Sequence, residues 1–154
     1  MRLSDYLRDD LVVQGLEAGG TREALRALGE HLSEAADRTS TEEIVQALWS
    51  REEAHTTVLG EGVAVPHATL SSLSRMLLMV ARASPPVPFG PQEAPPVDLF
   101  FVLLSPAGGE REHIKLLARI CRLVRHPGFL DSLRAARNDG ELMTALREAD
   151  AEHV

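Results

Sequence analysis

The sequence predicts an α/β sandwich with helices on both faces of the sheet, and three observations predict it. Segments with helical apolar period alternate with short apolar runs. Two of those runs, "RMLLMVARA" and "VDLFFVLLS", are almost continuously apolar and bounded by loops, as strands covered on both faces are. The chain of 154 residues has the length of one ordinary domain with its own core, so residues 1–154 read as a single domain.

The elements follow in order. "TREALRALGEHLSEAAD" places Leu25, Leu28 and Leu32 on one helical face. "STEEIVQALWS" opens with Ser40 and Glu43 at capping-box spacing and continues as a helix carrying Ile44, Leu48 and Trp49. "GVAVPH" is a short strand that ends at His67, and the two apolar runs are the next strands. Between those runs, "SPPVPFGPQEAPP" holds six of the nine prolines, a density that excludes a helix or a central strand and predicts a long loop from Ser84 to Pro96. "REHIKLLARICRLVRHPG" is a helix whose buried stripe is Ile114, Leu117, Cys121 and Val124, stopped near Pro127. "FLDSLRAAR" and "NDGELMTALREAD" are two further helices, the second with Asn138 and Glu141 at capping-box spacing.

Composition removes several function classes. A net charge of −7 and an aromatic content of 4% argue against a nucleic-acid partner, which needs basic surface and stacking platforms. The longest apolar run, Leu99 to Leu104, is far short of a membrane span, and the N-terminus lacks the apolar core of a secretory signal. Cys121, the single cysteine, permits no intrachain disulfide and fits a reducing cytoplasm; within an apolar helical pattern it reads as a buried small hydrophobe.

Of the six histidines, His31, His55, His126 and His153 read as solvated surface residues. His67 and His113 differ in their mounting. Pro66 has a fixed φ and biases Val65 toward extended geometry, so His67 is held rigidly, while Gly60 and Gly62 let the preceding backbone turn or approach another group. His113 falls in the first turn of a long helix, where N–H groups attract anions and the dipole disfavours a protonated ring. A neutral ring keeps the lone pair that nucleophilic attack requires. Residue spacing alone leaves two other readings open. One is a pair of hydrogen-bonded structural histidines; the other is a metal hydrolase in which His67 and His113 join Glu110 or Glu112, although no H-x-x-x-H or H-E-x-x-H spacing occurs. The P-loop, the dinucleotide G-x-G-x-x-G and the hydrolase G-x-S-x-G patterns are absent.

Glu52, Leu59–Gly60 and Val63–Ala64–Val65–Pro66–His67–Ala68 together resemble the active-site signature of the type 2 enzyme IIA proteins of the bacterial phosphoenolpyruvate-dependent phosphotransferase system. The family includes fructose, mannitol and nitrogen-regulatory members, and the resemblance runs over nearly the whole chain. "LSDYLRDDLVVQG" is similar to its opening strand, "SREEAHTTVLGEG" to its arginine-bearing helix end and loop, and "PPVDLFFVLLSPAGGEREHIKLLARICRLV" to its central strand and the helix with the second active-site histidine. The resemblance implies a three-layer α/β/α sandwich around a mixed, roughly five-stranded sheet. It implies that His67 accepts the phosphoryl group, that His113 is the neighbouring histidine, that Arg51 contacts phosphate, and that Thr57, Gly60 and Glu52 support the site. The implied donor is the phosphorylated carrier HPr, and no cofactor is needed. The implied output is either signalling by phosphorylation state, as in the nitrogen-regulatory members, or transfer to an enzyme IIB in sugar uptake. Val58, Ala68 and His55 depart from the residues that family members usually carry there.

Overall fold

Strands with no polar face belong in the middle of a molecule, and the sheet lies there in the computed structural model, which describes residues 1–153. The chain enters through two 3-10 turns, Leu3–Asp5 and Asp9–Leu11, then forms β1 (Val12–Leu16), α1 (Thr21–Ala35) and α2 (Thr41–Ala54). Three short strands follow: β2 (Val58–Gly60), β3 (Val63–Ala64) and β4 (His67–Leu70). The long strands β5 (Leu77–Val87) and β6 (Val97–Pro106) lead to α3 (Glu110–Arg125), α4 (Phe129–Arg134) and α5 (Asp139–Glu152).

The sheet is mixed, in the order β1-β5-β6-β3-β2, with β4 also on β6. β5 and β6 pair antiparallel at its centre, whereas β1 on β5 and β3 and β4 on β6 are parallel. Side chains alternate between two cores, as strand geometry requires. Leu78, Val80, Phe101 and Leu103 meet Leu116, Ile120, Leu130, Leu142 and Leu146 of α3, α4 and α5. Leu77, Met79, Phe100 and Val102 meet Leu25, Leu28, Leu32, Ile44 and Leu48 of α1 and α2. Each such side chain, fully buried, is worth about 1.5–3 kcal/mol, so a strand with two apolar faces is stabilised twice over. The three-layer sandwich expected from the sequence is the fold observed.

Several local expectations change. The run "GVAVPH" is two strands, because Pro66 has no N–H to continue the ladder, and this brings the strand count to six. His67 therefore does not end a strand but starts one, paired with Leu103 of β6. The proline-rich segment is only partly a loop, since β5 runs on through Pro85 and Pro86 to Val87. β1 has already ended at Leu16, opposite Ala83, and the β6 register shifts between Arg82 and Val87, so neither neighbour requires the missing proline N–H.

The buried stripe of α3 is also rotated from the expected one. Leu116, Arg119, Ile120, Leu123 and Val124 face the core, whereas Ile114 is 66% exposed and Leu117 and Cys121 are only partly covered. The stripe shifts because Arg119 turns inward to a buried partner, Asp150, which hydrophobicity alone does not reveal.

Candidate active site

The backbone before His67 is fixed by a tight turn. Gly60, Glu61 and Gly62 all have positive φ, at 100°, 55° and 81°. A Cβ on Gly62 would sit 2.8 Å from Arg134 Nη2 and Asp98 Oδ1, so glycine is required there for close approach as well as for φ. Arg134 closes the turn from α4, donating to the Glu61 carbonyl at 2.5 Å and to both Asp98 oxygens at 2.8 Å. Gly60 needs its positive φ, but a Cβ there would meet open space.

The turn delivers Val63, Val65 and His67 to the sheet face that α3 covers. The His67 ring contacts the Val65 carbonyl through Nδ1 at 2.8 Å. A carbonyl oxygen only accepts, so Nδ1 carries the proton and Nε2 carries the lone pair. Across from it, His113 occupies the first turns of α3, its N–H bonded to the Gly109 carbonyl at 2.9 Å. The two rings stand edge to face with centroids 5.2 Å apart. Nδ1 of His113 is hydrogen-bonded to Ser105 Oγ, a buried hydroxyl on β6.

Of the other candidates, Arg51 and Glu52 lie near enough to His67 for their charges to act on its ring. Arg51 lies in the last turn of α2 and donates through Nη1 to the His55 carbonyl at 2.5 Å. Glu52 is buried, and its carboxylate accepts from the Thr57 N–H at 2.8 Å, the Thr57 hydroxyl at 2.5 Å and the Thr56 hydroxyl at 2.9 Å. The Thr57 hydroxyl proton is thus committed to Glu52. The pair shapes the loop between α2 and β2, and the Thr57 carbonyl in turn accepts from the Val65 N–H at 3.0 Å. Glu110 and Glu112 turn elsewhere, to the Gly108 N–H at 3.2 Å and the Tyr6 hydroxyl at 2.5 Å. Among the described residues no group of three metal-ligating side chains forms, so the His/carboxylate metal set is not assembled.

Burial pushes the His67 pKa below its ordinary value; the nearby Arg51 charge pushes it the same way, against the Val65 hydrogen bond and the Glu52 carboxylate. Burial likewise lowers His113, helped by His67 and opposed by Glu110. Both shifts favour the neutral ring at pH 7, and both midpoints are expected below that of an ordinary histidine. The sign for stability follows: below about 6.5 the unfolded rings bind protons that the folded ones refuse, so stability falls as pH drops from there toward the folded values. Ring-resonance titration by NMR checks the midpoints, and a midpoint at or above the ordinary histidine value for either ring would contradict this.

The Ser105 contact does not show in the sequence, because a serine closing the apolar run "VDLFFVLLS" carries no sign of what its hydroxyl meets. Its one signal was position: the strand continues through it to Pro106, so it shares the face of Leu103 and His67.

Residues 5–149 match the family described as "Phosphoenolpyruvate-dependent sugar phosphotransferase system, EIIA 2". A nitrogen regulatory protein of Bradyrhizobium diazoefficiens is 34% identical over 148 residues, covering 95% of both chains. A fructose-like EIIA component of Escherichia coli is 27% identical over 130 residues, 84% of this chain and 86% of that one. In structure, the nitrogen regulatory protein IIA-Ntr of Neisseria meningitidis superposes with a TM-score of 0.85 at 25% identity, covering 94% of this chain and 98% of that one. The mannitol enzyme IIA of Escherichia coli, solved in complex with phosphorylated enzyme IIB, shares the fold, with a TM-score of 0.76 at 23% identity over 92% of this chain and 97% of that one.

Proposed function

The chain belongs to the type 2 EIIA family of the phosphoenolpyruvate-dependent sugar phosphotransferase system, and from that premise we propose that it is a single-domain phosphotransferase working in the cytoplasm, with His67 as phosphoacceptor and phosphorylated HPr as donor. One observation carries the assignment of the atom: the Val65 carbonyl holds the proton on Nδ1, which leaves the Nε2 lone pair for attack on phosphorus. The bond from His67 Nε2 to phosphorus forms as the nitrogen–phosphorus bond on the donor histidine breaks, and that electron pair returns to the donor ring. The Nδ1 proton stays in its hydrogen bond to Val65, so the phosphorylated ring remains a competent leaving group. His113 and Arg51 stabilise the phosphoryl oxygens, and catalysis is positioning and charge stabilisation. Incubation with phosphoenolpyruvate, enzyme I and HPr tests the reading: one phosphoryl addition is expected, and its absence would sink the proposal.

Signalling by phosphorylation state is the favoured output, supported by the 34% identity to a nitrogen regulatory protein over 95% of the chain. The second reading, donation to an enzyme IIB in sugar uptake, is supported by the fructose-like relative and the mannitol complex. Adding candidate IIB proteins to the same incubation separates them, since only the second reading expects the group to leave for IIB.

Arg51 gives a graded test. As a cap alone, its charge at the end of α2 is worth about 0.3–1 kcal/mol. As a fork on phosphoryl oxygens, a charge-assisted bond is worth about 1.5–3 kcal/mol, so its loss slows transfer roughly ten- to a hundred-fold. Arg51→Lys keeps the charge but not the fork, so stability holds while transfer falls. A lysine variant as fast as wild type would leave Arg51 as a cap.

A further inference from the structure

We infer that Ser105 is a positioning residue that sets the tautomer of His113, making His113 Nε2 a hydrogen-bond donor beside the nucleophile. The part of this that concerns phosphoryl transfer rests on the phosphocarrier reading; the tautomer itself does not.

Ser105 is 1% exposed and sits in β6 opposite Thr69, two residues beyond the Leu103–His67 pair. Its hydroxyl contacts His113 Nδ1 and has no other side-chain hydrogen bond among the described residues. Two arrangements satisfy the contact. If Nδ1–H donates to Oγ, the single hydroxyl proton is left in a buried site without an acceptor. If the hydroxyl donates to a bare Nδ1, both atoms are satisfied and the ring proton must be on Nε2. Burial therefore selects the second.

His67 is fixed the opposite way by Val65, with its proton on Nδ1. Two rings 5.2 Å apart are thus held in opposite tautomers by two different backstops, a carbonyl that only accepts and a buried hydroxyl that is better used as a donor. The result is one bare Nε2 for attack and one Nε2–H to donate to phosphoryl oxygens. With the other tautomer, His113 would offer a lone pair where oxygens carrying negative charge arrive.

The test is ring-nitrogen NMR on the labelled, unphosphorylated protein at a pH where both rings are neutral, together with transfer rates from phosphorylated HPr. Ser105→Ala should shift the His113 ring nitrogens away from the Nε2–H tautomer, leave the His67 nitrogens in place and slow transfer roughly two- to ten-fold. Ser105→Thr, which restores the hydroxyl, should recover both readouts. Adding Ser105→Ala to His113→Ala should slow transfer no further than His113→Ala alone, which a merely structural role for the serine would not produce. Unmoved His113 nitrogens in Ser105→Ala, or moved nitrogens with an unchanged rate, overturn the inference. If wild type accepts no phosphoryl group, the phosphocarrier reading fails, and the ring-nitrogen comparison still decides whether Ser105 sets the tautomer.

Discussion

His67→Ala is expected to abolish phosphoryl acceptance outright, while most slower variants of the site should still reach full phosphorylation given time. The distinction is chemical. In the proposed reaction Arg51 and His113 alter the barrier by a few kcal/mol at most, whereas His67 Nε2 is the atom that forms the bond to phosphorus. His113 is no substitute, because its Nδ1 is engaged by Ser105 and its mount is a helix turn, not the rigid Pro66–His67 backbone. The substitution removes one hydrogen bond, to the Val65 carbonyl, at a net cost of about 0.5–1.5 kcal/mol, so the fold should survive. Intact-mass measurement after incubation with phosphorylated HPr should find one acid-labile addition on wild type and none on the variant. A variant that still gains the addition would move the nucleophile elsewhere.

The pairing of His67 with His113 was legible because its signal is local. Pro66 fixes its own φ and holds Val65 extended just before the histidine, glycines announce a turn, and a histidine in the first turn of a helix is readable from the loop before it. The helices α1 and α2 were legible for the same reason: Leu25, Leu28, Leu32, Ile44 and Leu48 are all buried, and Ser40 accepts from the Glu43 N–H at 3.2 Å while its own N–H donates to Glu43 at 3.3 Å. What stayed hidden depends on which partners the fold brings to a side chain. Ser105 finds its role eight residues away across a loop, and Glu52 is buried only because two threonine hydroxyls and an amide converge on it. The face of α3 was misread because one arginine, Arg119, buries itself against an aspartate 31 residues further on. His126 and His153, expected as separate solvated rings, stack with centroids 3.7 Å apart where the ends of α3 and α5 meet. Pro85 and Pro86 fit in a strand only because β1 has already ended beside them.

Asp150→Ala should be the most destabilising single change outside the apolar core, at about 3–5 kcal/mol, or a fall in Tm of roughly 6–20 °C. Asp150 is 1% exposed and ties three elements together. Its carboxylate accepts from Arg119 Nε at 3.1 Å and Nη2 at 2.8 Å on α3, and from the Leu3 and Ser4 N–H groups at 3.0 and 2.9 Å in the first 3-10 turn. Burial alone would raise its pKa, but the Ser4 amide, Arg119 and the Leu3 amide together overcome burial and hold it below the ordinary carboxylate value. Its contribution is therefore complete above about pH 3.9 and is lost as pH falls through the lower folded value, so acid should narrow the gap between wild type and variant. The alanine variant strands the Arg119 guanidinium in a site that is 4% exposed. Replacing both partners with apolar residues, Arg119→Met with Asp150→Leu, removes that stranded charge and should recover part of the loss. Recovery should stop short of wild type, because the Leu3 and Ser4 amides then lose their acceptor, at about 1–3 kcal/mol for each one that water cannot reach. Paired thermal and urea melts separate the two contributions: a double variant as stable as wild type would mean that Asp150 only neutralises Arg119 and does not staple the N-terminal turn to α5.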